Sequence, residues 1–169
     1  MSDLLLPTRV VLAIVAEVKA ILGEDCFSTD TTEPRSDESA REIEIRFASE
    51  KAGVCPIWIG AADRDRYVAI SFGENSRLEL DTVDAGDRAR GFTTFSEELR
   101  EILLAIVRGQ VVERVKSKGG EAYSSTAVIE HSRGRLKTRW ALFLGGRLFR
   151  RTRVTEHVYE PYCDPIVKV

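Results

Sequence analysis

The stretch 133–153 combines cationic and large apolar side chains more densely than any other part of the chain. It holds eight Lys and Arg residues and no Asp or Glu. Gly145-Gly146 interrupts the apolar residues, a pattern typical of two strands joined at a glycine turn. We therefore interpret 133–153 as a basic β-hairpin. Arginine and aromatic side chains on an open sheet face can bind phosphates and bases, or an acidic protein surface.

Side-chain alternation decides which residues of this hairpin face outward. With the loop centred on Gly146, Leu136 and Trp140 share one side with Val154, and we expect that side to be core. A shift by one residue would bury arginines or expose Trp140, so we favour the first register. The opposite side then collects the predicted binding residues, which are Lys137, Arg139, Phe143, Arg147, Phe149, Arg151 and Arg153.

Catalytic chemistry has weaker support in the sequence. There is no phosphate-binding glycine loop, no dinucleotide fingerprint and no paired-histidine metal motif. His131 and His157 each follow a glutamate near the end of an expected strand, and either could act as a general base. His157 also lies near Cys163, and a histidine can activate a thiol as a nucleophile. We predict no catalytic residue, cofactor or metal site, and keep an enzyme that uses His157 or His131 as an alternative.

The cysteines and the N-terminus bear on the compartment. Cys26, Cys55 and Cys163 are odd in number and widely spaced, which favours neither a disulfide framework nor a zinc knuckle and fits a reducing cytoplasm. The opening residues lack the basic start and cleavage site of a secretory signal. No apolar run approaches the roughly 20 residues of a membrane span. We expect a cytoplasmic protein that does not enter a membrane.

Charge is divided unevenly along the chain, whose net charge is -2. Residues 1–90 carry 11 Lys and Arg against 18 Asp and Glu, a net charge of -7, while residues 91–169 carry 14 against 9, a net charge of +5. Such a dipolar chain would favour one half packing against the other, or would leave opposite faces for different partners. The overall negative charge counts against non-specific nucleic-acid binding, which needs a strong positive field.

The elements that position the basic stretch follow from periodicity. Apolar spacing predicts a helix from Pro7 to Leu22, and a polar stretch over 28–40 predicts a mobile loop. Alternating residues between 42 and 80 predict four strands in an antiparallel meander, with Pro56 at the start of a strand or at a sheet edge. A capping pattern at Thr94 and Glu97 then begins a second helix that ends at Gly109.

Four further strands follow the second helix, and the tail over 160–169 is expected to be irregular. The order predicts one α+β domain over 1–169 that contains two successive helix-plus-four-strand units, with an antiparallel sheet, continuous or in two parts, and both helices on one face. The predicted function is that of a non-catalytic binding protein that presents the basic sheet face to an acidic protein partner. Immunity proteins and secretion chaperones are analogous in size and architecture only. A nucleic-acid binder using the hairpin 133–153 is the second alternative.

Overall fold

The computed structural model describes residues 6–35, 41–65, 67–82, 94–141 and 152–163. They form two helices and two antiparallel sheets, which confirms the predicted α+β class and resolves the strands into two sheets of five and four. In chain order the elements are α1 (Pro7–Leu22), β1 (Ser28–Arg35), β2 (Glu42–Ala48), β3 (Ile57–Ala62), β4 (Tyr67–Phe72), β5 (Ser76–Asp81), α2 (Phe95–Val107), β6 (Val111–Lys118), β7 (Glu121–His131), β8 (Gly134–Ala141) and β9 (Thr152–Val158).

The first sheet is the predicted meander with one additional strand, in the order β1-β2-β3-β4-β5. Its register aligns Ile45, Ile59, Ile70 and Leu78 in a row across four strands, and all four side chains are buried. Burial of each such side chain stabilises the fold by about 1.5–3 kcal/mol. Pro56 immediately precedes β3 in the centre of the sheet, so its missing N–H costs no ladder hydrogen bond.

Strand β1 corrects the predicted loop over 28–40. Residues Ser28–Arg35 pair antiparallel with β2 and close one edge of the first sheet, while 36–40 lie outside the described residues. The prediction was wrong because this sequence is polar and shows no alternation of apolar residues. A strand at a sheet edge needs no such alternation, because backbone pairing and β-branched residues such as Thr29 and Thr31 suffice.

Both helices bury their apolar stripes against the sheets. Helix α1 begins with Pro7 in its first turn and contacts α2 and β3. Helix α2 begins after Thr94, whose hydroxyl accepts a hydrogen bond from the Glu97 amide at 3.1 Å, and it contacts both β5 and β7. The predicted cap of α2 is confirmed. Because α2 touches both sheets, it joins them through one continuous core.

The second sheet has the order β8-β7-β6-β9, and this order corrects the predicted hairpin over 133–153. Among the described residues, β8 pairs with β7 and β9 pairs with β6, so these two strands lie at opposite edges of the described sheet. The double glycine falls within 142–151, which lies outside the described residues. Sequence adjacency favoured a hairpin, but every residue of β9 from Thr152 to Val158 pairs with β6, on the edge of β6 that β7 does not occupy.

The described segment after β9 returns to the part of the chain that forms α1 and the first sheet. It is irregular apart from one β-bridge between Val54 and Glu160. Tyr162 is buried, stacks edge-on to Phe27 and donates its hydroxyl to the Cys55 carbonyl at 2.6 Å. Beside it, Cys163 forms a disulfide with Cys26, with the two Cα atoms 5.3 Å apart. The cysteine spacing did not favour a disulfide framework, and it gave no sign of this bond because the fold places side by side two cysteines whose sequence separation is 137. Among the described residues, none of the helices has the length and apolar character needed to cross a membrane.

Candidate binding face

The second sheet turns one side to the core and the other to solvent. On β6, Val111, Glu113 and Val115 are buried, while Arg114 and Lys116 at alternate positions are exposed. We call the solvent side of this sheet the basic face. It consists of Val112, Arg114, Lys116 and Lys118 on β6, Glu121, Ser124, Thr126, Val128 and Glu130 on β7, Arg135, Lys137, Arg139 and Ala141 on β8, and Thr152, Val154, Glu156 and Val158 on β9.

The cations of the basic face differ in how they are paired. Arg114 contacts Glu156 at 2.5 Å across the β6–β9 pairing, and Arg135 contacts Glu130 at 2.5 Å across the β7–β8 pairing. No carboxylate of the described residues lies within salt-bridge distance of Lys116, Lys137 or Arg139. Exposed pairs stabilise a fold only weakly, so the positive charge of the face remains available to a partner.

Valines lie among these cations. The register places Val128, Val112 and Val158 side by side on β7, β6 and β9, with Lys137 beyond Val128 on β8. Val158 is 67% exposed and Val154 is 57% exposed. Apolar groups among cations on an open sheet suit a protein surface, where both kinds of group are buried together.

Three of the seven predicted binding residues lie in the described part of the chain. Lys137 and Arg139 are exposed on the basic face, as the alternation of β8 predicts, and Leu136 is buried on the other side while Trp140, on that same side, is partly buried. Arg153 is exposed but shares its side of β9 with Thr155 and His157, away from the basic face. Phe143, Arg147, Phe149 and Arg151 lie outside the described residues.

The side-chain sorting predicted for β9 was therefore wrong. Val154 faces solvent and Arg153 faces the other way, because β9 takes its register from β6 rather than from β8. Arg114 and Lys116 were missing from the predicted site. Their signal was the alternation of apolar and cationic residues along Val111–Lys118, which places both on one side of a strand.

A buried carboxylate beneath the basic face joins the two sheets. Glu113 is fully buried, and its Oε1 accepts hydrogen bonds from the Ser76 hydroxyl at 2.6 Å, the Ser125 hydroxyl at 2.8 Å and the Asn75 amide at 3.0 Å. Its Oε2 accepts from the Tyr159 hydroxyl at 2.7 Å and the Glu74 amide at 2.8 Å. These five donors come from the β4–β5 turn, β5, β7 and the segment after β9. We call this cluster the polar joint.

The hydrogen bonds of the polar joint determine its protonation. Burial on its own would raise the pKa of Glu113, but the donors from Ser76, Tyr159, the Glu74 amide and Ser125 outweigh it and lower the pKa below its usual value. Burial and the neighbouring Glu113 raise the pKa of Tyr159, so its hydroxyl stays a donor. A carboxylate with five donors has no acceptor site left for a substrate, which makes Glu113 a structural group.

Gly73 lets the β4–β5 turn approach the polar joint closely. Its φ is +64°, and a Cβ at this position would overlap Glu113 Oε2 and lie 2.8 Å from the Tyr159 hydroxyl. Any other residue would strain the backbone and displace the joint. The predicted meander implies a turn between β4 and β5, but it gives no sign of the carboxylate on β6 that the turn surrounds.

The two histidines occupy different environments. His157 stacks on Tyr159, with ring centroids 6.2 Å apart, and its Nε2 lies 3.5 Å from Glu74 Oε2. His131 lines a cavity of about 260 Å³ with Glu101, Arg108 and Gln110, and its Nδ1 accepts a hydrogen bond from the Arg133 amide.

A nucleophile for either histidine is not evident in the described ranges. Ser132 beside His131 donates its hydroxyl to Glu101. Cys163 near His157 in sequence is bonded to Cys26, and the free Cys55 is buried, which raises the pKa of its thiol to about 12. Within the described part of the chain, no three His, Cys, Asp or Glu side chains are grouped to hold a metal ion. The basic face is therefore the stronger candidate site.

Comparison of the chain with models of known protein families, with curated protein sequences and with solved structures gives no match.

Proposed function

We propose that this protein is a binding protein that presents the basic face to an acidic protein partner. The observation that carries the proposal is the group of three exposed cations, Lys116, Lys137 and Arg139, which have no carboxylate partner among the described residues and surround exposed valines. Complementary charge speeds encounter and selects the partner, while burial of the valines adds affinity.

A protein partner is favoured over a nucleic acid by the side chains between the cations. Single-stranded nucleic acids are held by aromatic rings on which bases stack. On the described residues of the basic face, the uncharged positions between the cations are Val, Thr, Ser and Ala. The Tyr123 ring at the end of the face is already contacted by Lys118, whose ammonium lies 5.8 Å from the ring centroid. Carboxylates at Glu130 and Glu156 would also repel a phosphate backbone.

The test is affinity capture from the source organism with quantitative mass spectrometry. The variant Lys116→Glu with Lys137→Glu and Arg139→Glu should lose an acidic partner that the wild type retains. Arg153→Glu is the internal control, because Arg153 is equally cationic and exposed but lies on the other side of β9. Capture of the same proteins by the triple variant would reject the proposal. Loss of bound single-stranded nucleic acid in place of a protein would favour the nucleic-acid alternative.

The cytoplasmic location also stays a prediction, and the paired cysteines offer its test. Disulfides persist in oxidising compartments and are rare in the cytoplasm. Rapid alkylation of living cells followed by mass spectrometry reports whether Cys26 and Cys163 are thiols or a disulfide. A cytoplasmic protein should show the two thiols largely reduced, and complete oxidation would contradict that location.

A further inference from the structure

The outer side of the first sheet contains a shallow cavity of about 670 Å³, which we call the acidic trough. Its floor is made of small residues, Gly60 and Ala62 on β3 and Ala69 on β4. The register places Glu44, Gly60, Ala69 and Glu79 in one row across β2 to β5. The row has a carboxylate at each end, separated by three strand spacings or about 14 Å. An extended chain laid on the floor could reach both.

Among the described residues that line the trough, carboxylates outnumber cations. Its lining contains the acidic residues Glu42, Glu44, Asp65 and Glu79 and the basic residues Arg64 and Arg77. Arg64 contacts Glu42 at 2.5 Å and Arg77 contacts Glu79 at 2.9 Å. Glu44 is exposed, and no cation of the described residues lies within salt-bridge distance of it. A cationic ligand would therefore meet an uncompensated carboxylate on β2, at one end of this row.

Exposed aromatic rings accompany the carboxylates. Tyr67 lines the trough and is 49% exposed. Trp58 lies two residues before Gly60, on the same side of β3, and is 43% exposed. The guanidinium of Arg46 already lies over the Trp58 ring, 5.7 Å from its centroid. Aromatic side chains left open on a polar sheet face are favoured anchors in interfaces, and their ring faces attract cations.

We propose that the acidic trough docks an extended segment of a partner protein that carries Lys or Arg side chains. The Tyr67 ring and Glu44 supply attraction for the cations, and the Gly60 floor lets the backbone of the segment approach the sheet. The excess of carboxylate disfavours a phosphate-bearing ligand. This docking site lies on the other sheet from the basic face and does not depend on the function proposed for that face.

The test uses a labelled eight-residue peptide of alternating Arg and Ser, with an alternating Glu and Ser peptide as the charge control. Fluorescence anisotropy at low salt should show binding of the first peptide alone. Gly60→Val fills the floor, and no atom lies within 4 Å of a Cβ at Gly60, so the variant should fold. Its affinity should fall about tenfold. Glu44→Lys, a change at an exposed position, should reduce the affinity at least as much and gives a second result if Gly60→Val unfolds.

The matched control is Glu156→Lys, which makes the same change of charge on the basic face and should leave the affinity within about twofold. Failure of the arginine peptide to bind would overturn the proposal. So would equal binding by wild type, Gly60→Val and Glu44→Lys, because attraction would then come from net charge alone. Spermine should compete with the peptide only weakly, since it supplies cations without an extended backbone. Competition by spermine at the peptide's own concentration would reject a peptide site.

Discussion

The outer face of the five-stranded sheet carries Glu42, Glu44 and Glu79 beside exposed Trp58 and Tyr67, whereas the outer face of the four-stranded sheet carries Lys116, Lys137 and Arg139 beside exposed valines. Both sheets bury aliphatic side chains on their inner sides. The two sheets therefore differ in the side chains that their strands turn toward solvent. One chain thus holds two open sheets of opposite charge against one core, which suits two partners, or two regions of one partner, of opposite charge.

The largest effect is expected from the covalent link between the two units. The disulfide connects the segment after β9, in the second unit, to the junction of α1 and β1 in the first. Replacement by Cys26→Ser with Cys163→Ser should lower the free energy of unfolding by up to about 5 kcal/mol, because the bond closes a loop of 137 residues in the unfolded chain. Urea unfolding with and without reductant measures this. The urea midpoint of the double variant should not change with reductant. Equal midpoints for the oxidised and reduced wild type would contradict stabilisation by the disulfide.

The polar joint is the non-covalent connection between the sheets. Glu113→Gln keeps the shape of the side chain but cannot accept all five hydrogen bonds, so the unfolding free energy should fall by about 3 kcal/mol. Glu156→Gln, an exposed change on β9, should cost less than about 0.5 kcal/mol. Denaturant unfolding that shows similar losses for the two variants would mean that the joint does not hold the sheets together.

The same carboxylate predicts an acid sensitivity with a definite sign. The folded pKa of Glu113 lies below its unfolded value, so its contribution is fully present above the unfolded value of about 4.3 and is lost as the pH falls through the folded pKa. Thermal unfolding between pH 5 and pH 2 should show a steeper loss for wild type than for Glu113→Gln. Parallel curves would show that other carboxylates account for the acid sensitivity.

The smallest effect is expected from a single valine of the basic face. Val158→Thr removes apolar surface at a position that is 67% exposed, so the unfolding free energy should change by less than about 0.5 kcal/mol. Affinity for an acidic partner should fall about threefold if the valine row is buried in the complex. Titration calorimetry with the captured partner measures the change, and Ala141→Ser at the margin of the face serves as the comparison. Unchanged affinity for Val158→Thr would restrict the contact to the cations.

Local alternation predicted the parts of this fold that depend on neighbours in sequence. Leu136, Lys137, Thr138 and Arg139 alternate between core and solvent as expected, because the pleat fixes their sides whatever the neighbouring strand. The meander β2 to β5 was predicted from the same alternation, and the helices were predicted from their own local period of apolar residues. Strand β1 escaped prediction because a polar edge strand has no apolar period.

Contacts between distant segments were not accessible from the sequence. The register of β9 is set by β6, some forty residues earlier in the chain, and this pairing turned Val154 outward. The Cys26–Cys163 bond and the five donors of Glu113 likewise join segments that share no local pattern. A buried glutamate in a strand that otherwise alternates is a detectable signal, because Glu113 occupies a position at which the period requires an apolar residue.

Chemical footprinting of the complex tests the central claim most directly. Lys116 and Lys137 are exposed on the basic face, while Lys51 and Lys19 lie on other parts of the surface. Acetylation followed by mass spectrometry, with and without the captured acidic partner, reports the protection of each lysine. We predict that Lys116 and Lys137 become protected while Lys51 and Lys19 react as before. Equal reaction of Lys116 and Lys137 in the free and bound protein would contradict the proposed binding face.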